Sequence, residues 1–110
     1  MLDGTYLTAL ALTLASELPI VLVGFRRARP RSRTLLVFAA ANLLTHGTLW
    51  AAWYHLPGEY PTRLLVCELA VFAAEALLYR ALLGVSLARA AIVSAAANLL
   101  STAIGLVLQL

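Results

Sequence analysis

Apolar residues run through this chain in four long stretches, covering residues 4–25, 34–56, 63–83 and 87–110. Three short breaks separate them. The first, Arg26-Arg27-Ala28-Arg29-Pro30-Arg31-Ser32-Arg33, is strongly basic. The second, Pro57-Gly58-Glu59-Tyr60-Pro61-Thr62, is a Pro/Gly turn in which Thr62 suits a helix N-cap. The third, Gly84-Val85-Ser86, offers a C-cap glycine followed by an N-cap serine. Each stretch is about 22 residues, or roughly 33 Å of helix, against a hydrocarbon core of about 30 Å. Backbone that faces lipid must satisfy its own hydrogen bonds, which helices do. The pattern therefore predicts an all-α polytopic integral membrane protein. It forms a four-transmembrane-helix bundle, a single domain over residues 1–110, with short loops that make consecutive helices antiparallel neighbours.

Composition narrows the class further. Of 110 residues, 63% are hydrophobic and only 12% charged, with a mean hydropathy of +0.92. So few charges cannot cover the surface of a water-soluble domain of this size, and disorder carries the opposite signature. Residues 1–20 lack the basic start of a secretory leader, and their apolar run continues to the Arg cluster, so they read as a span. The single Cys67 reads as a small buried residue.

Charge placement predicts an orientation. Arg26, Arg27, Arg29, Arg31, Arg33, Arg80 and Arg89 fall on one side of the four spans, and only Arg63 on the other. The positive-inside rule makes the Arg-rich side cytoplasmic and leaves both termini outside, in an inner (plasma) membrane. Trp50, Trp53, Tyr54, Tyr60 and Tyr6 then form an outer aromatic belt, and Phe25 and Tyr79 an inner one. The sequence pI is near 9.6, but its charge sits in one loop and gives no nucleic-acid face. Arg26, Arg27, Arg29, Arg31 and Arg33 read as topogenic charge, with anionic lipid headgroups as the alternative contact.

An internal similarity accompanies this layout. Ala39-Ala40-Ala41-Asn42-Leu43-Leu44-Thr45 matches Ala95-Ala96-Ala97-Asn98-Leu99-Leu100-Ser101, and in the same register Arg33 matches Arg89. The other two helices echo each other more weakly, with Ser16-Glu17-Leu18 against Cys67-Glu68-Leu69. Two repeated hairpins related by a pseudo-twofold axis along the membrane normal would give both matches. The copies differ at His46, Glu75 and Pro19, where a one-sided site is expected.

Counting about 1.5 Å per residue from the Arg-rich ends puts Glu17, Asn42, His46, Glu68, Glu75 and Asn98 in one slab of the bilayer. Asn42 and His46 share a helix face, with Thr45 beside them. Glu68 and Glu75 share another, with Phe72 and Tyr79 on the same stripe. Ser94, Asn98 and Ser101 share a third. Pro19 would leave the Ala15 carbonyl free beside Glu17. An acid at the centre of a spanning helix costs about 2.5–3.5 kcal/mol on insertion scales, so it faces protein or water. Polar residues here can serve as structural glue. That reading suits Ser94, Asn98 and Ser101, whereas Glu17, Glu68 and His46 suit a site. Glu75 stands between the two, as a partner for Arg80 or Arg26 or as a member of the site.

Carboxylates and an imidazole in such a slab are groups that exchange protons or bind cations, so a proton- or cation-coupled carrier or channel-like protein is expected. Four helices enclose little volume, so such a protein would work as a homo-oligomer in the lipid bilayer. Glu17, His46 and Glu68 could also hold a metal, although no HExxH-type spacing supports it and no motif requires a cofactor. Two alternatives stand beside the carrier. One is an accessory or scaffold subunit of a larger membrane complex. The other is an intramembrane acid/base or metal-dependent enzyme acting on a lipid, for which no nucleophile motif exists and no catalytic residue can be assigned.

Overall fold

The computed structural model describes residues 4–109, with side chains from Leu7 to Leu108. Asp3 and the Tyr6 side chain, expected near the outer end, lie outside that range. Among the described residues there are four α-helices: α1 (Gly4–Gly24), α2 (Arg31–Ala52), α3 (Tyr60–Leu83) and α4 (Leu87–Gln109). A 3-10 turn over Trp53–His55 follows α2.

The helix ends follow local chemistry, with two departures from expectation. Pro30 sits at the N-cap of α2 and its carbonyl accepts from the Arg33 and Thr34 amides, so α2 opens at Arg31 rather than at residue 34. At α3 the N-cap is Glu59, not Thr62. Pro61 needs no amide partner in a first turn, so the helix starts earlier and encloses Thr62. The other break behaves as expected. Gly84 takes the left-handed conformation (φ 66°) and its amide donates to the Arg80 carbonyl. The Ser86 hydroxyl accepts from the Arg89 amide at 3.1 Å, capping α4.

Each helix packs on its sequence neighbours, and α4 closes the ring against α1. The bundle measures 40 × 24 × 23 Å. Among the described residues, three helical segments are long and apolar enough to cross a membrane: Leu7–Gly24, Arg31–His55 and Leu87–Leu108. The 24-residue α3 is long enough, but Arg63, Glu68, Glu75 and Arg80 put more than two charges in every 18-residue window.

Polarity is inverted relative to a water-soluble bundle. Glu17, Asn42, Glu75 and Ser94 are fully buried, whereas Leu36, Leu44, Leu69, Leu77, Ile92 and Leu99 are exposed. Pro19 also turns outward while Glu17 turns inward, so the free Ala15 carbonyl does not join the interior. Packing is uneven along the axis. Described residues that are buried fall within 17–25, 34–45, 67–83 and 90–98, the half nearer the Arg loop, and no residue with a described side chain is buried toward the opposite ends of the helices.

Close contacts knit the tight half. Phe25 packs on Tyr79 with ring centroids 5.1 Å apart. Arg33 donates to the Leu82 carbonyl at 3.0 Å, and Arg89 donates to the Gly24 carbonyl at 2.9 Å. Each guanidinium thus serves a carbonyl at the end of a neighbouring helix, where no further turn supplies a donor. At Gly24 the α1 backbone comes so near α4 that a Cβ would lie 2.5 Å from Val93 Cγ2. The branched Val93 cannot easily turn away. Gly24→Ala is therefore expected to destabilise the purified protein by about 1–3 kcal/mol. Adding Val93→Ala should remove most of that loss, as read by thermal unfolding in detergent.

Candidate functional site

The interior of the tight half is wired through two sets of side chains that repeat each other. In α2, Thr45 donates to Glu75 Oε2 of α3 at 3.0 Å. In α4, Ser101 donates to Glu17 Oε2 of α1 at 2.6 Å. Both hydroxyls also lean toward a carbonyl one turn back in their own helix, Thr45 to Asn42 and Ser101 to Asn98. Both asparagines turn an amide onto the carbonyl four residues earlier, Asn42 to Phe38 and Asn98 to Ser94. The two arginine contacts at the helix ends, Arg33 to Leu82 and Arg89 to Gly24, follow the same exchange of α2–α3 for α4–α1.

These correspondences correct one expected pairing. The residue placed and bonded like Glu17 is Glu75, not Glu68. Val21 and Tyr79, one turn further on, are both buried, as are Phe25 and Leu83 after them. Glu75 is thus an interior residue and makes no pair with Arg80 or Arg26: its two oxygens accept from Thr45 and from Asn98, the latter at 2.8 Å. Arg80 lies on the exposed side of α3.

Glu17 and Glu75 lie within electrostatic range of each other, and Glu68 acts on both. The groups acting on them are other carboxylates or neutral donors, and no arginine is among them. Tyr79 completes the cluster. Its hydroxyl lies beside the Asn42 side chain and within electrostatic range of both Glu75 and Glu17. Yet the Tyr79 hydroxyl, Glu17 Oε1 and Asn42 Oδ1 are buried without a hydrogen-bond partner.

Two expected members stand apart. Glu68 is only partly buried and accepts from Thr102 at 2.7 Å. It sits in an apolar groove of about 510 Å³ between α3 and α4, lined by Leu65, Phe72, Leu99 and Asn98 among others. His46 is half-buried, its Nε2 has no hydrogen-bond partner, and it bonds to none of the glutamates. Among the described residues no three His, Cys, Asp or Glu side chains gather closely enough to hold a metal ion. Glu17, His46 and Glu68 do not form such a group, and His46 bonds to neither glutamate.

At the Arg-loop end, a polar hollow of about 480 Å³ is walled by Arg26, Arg27, Arg29 and Arg89 beside Gly84 and Ser86. Arg31 and Arg33 are exposed nearby, and Arg33 holds the Leu82 carbonyl.

Thr102 was not singled out by the sequence, and Thr45, Ser101 and Tyr79 were placed on polar faces without the partners they meet across the bundle. Tyr79 lies one turn after Glu75, so it shares that acid's face, and this was the available signal. No family model matches the chain, and no curated protein or solved structure is similar enough to it to be informative.

Since Thr45 and Asn98 hold the two oxygens of one carboxylate, their contributions should be coupled. Thr45→Val and Asn98→Ala are each expected to cost about 1–3 kcal/mol, the penalty for leaving a buried polar group unserved. The double variant should fall short of the sum by at least about 0.5 kcal/mol. Denaturant unfolding of the four proteins measures this, and strict additivity would contradict the wiring.

Proposed function

We propose that this chain is a four-span integral membrane protein whose buried carboxylates bind a proton or a cation, and that it works as a carrier or channel-like protein. The observation that supports this reading most is the burial of Glu17 and Glu75 within electrostatic range of each other, with hydrogen bonds from neutral donors alone. Two such groups in an apolar interior repel each other and are expensive to desolvate. A mobile positive charge bound between them relieves both costs. A binding site for that charge is thus a reason for the bundle to retain them.

The membrane reading draws on the inverted polarity, with leucines outside and acids inside. It extends to α3, whose charges are placed as a spanning helix tolerates them. Glu75 is buried, Glu68 is bonded by Thr102, and Arg63 and Arg80 lie toward its two ends, where long side chains reach the interface. The Arg-loop end is read as cytoplasmic and both termini as outside, in a plasma membrane. The matched hydrogen bonds of the two halves support a duplicated hairpin, with Glu17 and Glu75 as equivalent acids. The loosely packed half on the other side offers the approach to them. With so little interior volume, transport of anything larger than an ion would call for a homo-oligomer.

A second reading rests on the α3–α4 groove. Glu68 lies in an apolar furrow on the outside of the bundle, where a helix of a partner subunit could pair with it. An accessory-subunit role would follow. The enzyme reading gains no support, since the furrow is apolar and the polar hollow is walled by arginines without an acid/base pair.

Reconstitution into liposomes tests the first reading. Proton or cation flux should fall about tenfold or more in Glu17→Gln and in Glu75→Gln, the factor that 1.4 kcal/mol of lost ion binding produces. Glu68→Gln should retain most of it. Unchanged flux in both interior variants would remove the proposal.

A further inference from the structure

Two hollows on the surface of the bundle meet at Val23. One is the polar hollow of about 480 Å³ between the two loops of the Arg-rich end, walled by Arg26, Arg27, Arg29 and Arg89. The other is an apolar furrow of about 470 Å³ between α1 and α4, lined by Pro19, Ile20, Ile92 and Ala96 among others. Val23 lines both. The furrow is open because Gly24 and Ala96 carry little or no side chain between the exposed Val23 and Ile92. No carboxylate lines either hollow. Of the described acids, Glu17 and Glu75 are buried in the bundle, Glu68 accepts from Thr102, and Glu59 stands at the far end of α3. Four guanidinium groups thus share one hollow with no counter-charge in its walls. Two of them are positioned by backbone. Arg89 Nη1 donates to the Gly24 carbonyl at 2.9 Å. Arg29 lies across Gly84, where a Cβ would come within 2.7 Å of its Nη2, and its Nη1 donates to the Ala28 carbonyl at 3.3 Å. A guanidinium has five N–H donors, so each keeps others for a ligand.

We propose that the hollow and the furrow together bind one anionic phospholipid, with its headgroup phosphate among the arginines and an acyl chain along α1 and α4. This rests on the membrane reading of the chain and is independent of the ion-binding one. The planar fork of arginine matches the oxygens of a phosphate, and charge-assisted bonds of this kind are the strong ones. The hollow has a volume in the range of small-ligand sites, about 300–1,000 Å³, rather than that of a lone ion. A free phosphate would meet the same donors there but has no use for the furrow. From Val23 to Pro19 and from Ile92 to Ala96 the furrow spans four residues of each helix, about 6 Å. Both walls run from the Arg-rich end toward the middle of the bundle, the direction in which an acyl chain leaves its headgroup. The positive-inside orientation sets this hollow at the cytoplasmic leaflet, where anionic lipids attract arginine. The α1 and α3 carbonyls that would repel an anion at this end are already served, Gly24 by Arg89 and Leu82 by Arg33.

The test uses the full-length protein in a nonionic detergent at constant pH and ionic strength, with dioleoylphosphatidylglycerol, dioleoylphosphatidylcholine or inorganic phosphate added. Phosphatidylglycerol is expected to raise Tm by several degrees, growing with the logarithm of its mole fraction, as binding to the folded state requires. Phosphatidylcholine and inorganic phosphate should leave Tm unchanged. Arg29→Gln should raise the half-maximal lipid fraction about tenfold. Arg31→Gln removes the same charge from an exposed residue that does not line the hollow, and should change it less than about twofold. Ala96→Leu, which fills the furrow and leaves every charge in place, should weaken the lipid response about tenfold. Arg29 and Ala96 are both exposed, so these variants leave the core intact, and circular dichroism checks that they are folded. A wild type indifferent to phosphatidylglycerol would overturn the site. Equal losses in Arg29→Gln and Arg31→Gln would reduce the effect to diffuse charge attraction and contradict it as well. An equal rise with inorganic phosphate, or a full lipid response in Ala96→Leu, would remove the lipid chain from the furrow and with it the proposal. The membrane reading is checked separately, by retention of the protein in phosphatidylcholine vesicles through an alkaline wash. Retention without a phosphatidylglycerol response would leave the spanning reading standing and end this one.

Discussion

The arrangement of this bundle turns on how Glu17 and Glu75 are accommodated. Both are fully buried, and the hydrogen bonds that hold them come from Ser101, Thr45 and Asn98, all neutral. An arginine partner would have given a closed ion pair. Neutral donors orient the two carboxyl groups and supply no positive charge to pair with them. This constraint organises much of the interior. It places hydroxyls on α2 and α4 where they reach acids on α3 and α1. It puts asparagines one turn away, and it turns Tyr79 inward rather than toward an interface.

The arginines are used elsewhere. Arg33 and Arg89 hold the terminal carbonyls of α3 and α1, so the basic end of the molecule clamps the helix pairs without reaching the acids. Gly24 lets α1 approach Val93 of α4, and Phe25 packs on Tyr79 just beneath the polar layer. The result is a firm floor of apolar packing at the Arg-loop end. The polar layer lies above it, and beyond that the helices bury little. Such a gradient suits a site approached from the looser end.

The four helices and their antiparallel order were legible because hydrophobic runs, Pro/Gly breaks and capping residues agreed with one another. Gly84 and Ser86 acted as their chemistry requires. Thr62 did not, because a proline one residue earlier can itself begin a helix. The polar layer was legible as a set of residues but not as a network. Helical spacing shows which side chains share a face, yet it does not show which face meets which. So Glu68 looked like the counterpart of Glu17, through a local Ser-Glu-Leu and Cys-Glu-Leu echo, whereas the acid that is buried and hydroxyl-bonded as Glu17 is proves to be Glu75. His46 looked like a site member by depth and by the face it shares with Asn42, although its imidazole bonds to no carboxylate. The second-half asparagine motif was the dependable signal, because Asn42 and Asn98 are both interior and both bond back onto their own helices.

Whether the two interior acids are kept for ion binding or for cohesion of the bundle is decided by neutralising both. Glutamine keeps the size and one acceptor oxygen, for Ser101 at position 17 and for Asn98 at position 75, and at position 75 its amide NH2 can donate to the Thr45 hydroxyl, which turns to the Asn42 carbonyl it already faces. The most direct measurement is thermal unfolding of Glu17→Gln/Glu75→Gln beside the wild type, in sodium-free buffer at neutral pH. If the charges serve an ion, the double variant should be at least as stable as the wild type, since replacing uncompensated buried charge with neutral groups is neutral or stabilising. A loss of several kcal/mol, on the scale of about 3–5 kcal/mol seen when a buried pair is broken, would contradict this and make the carboxylates structural.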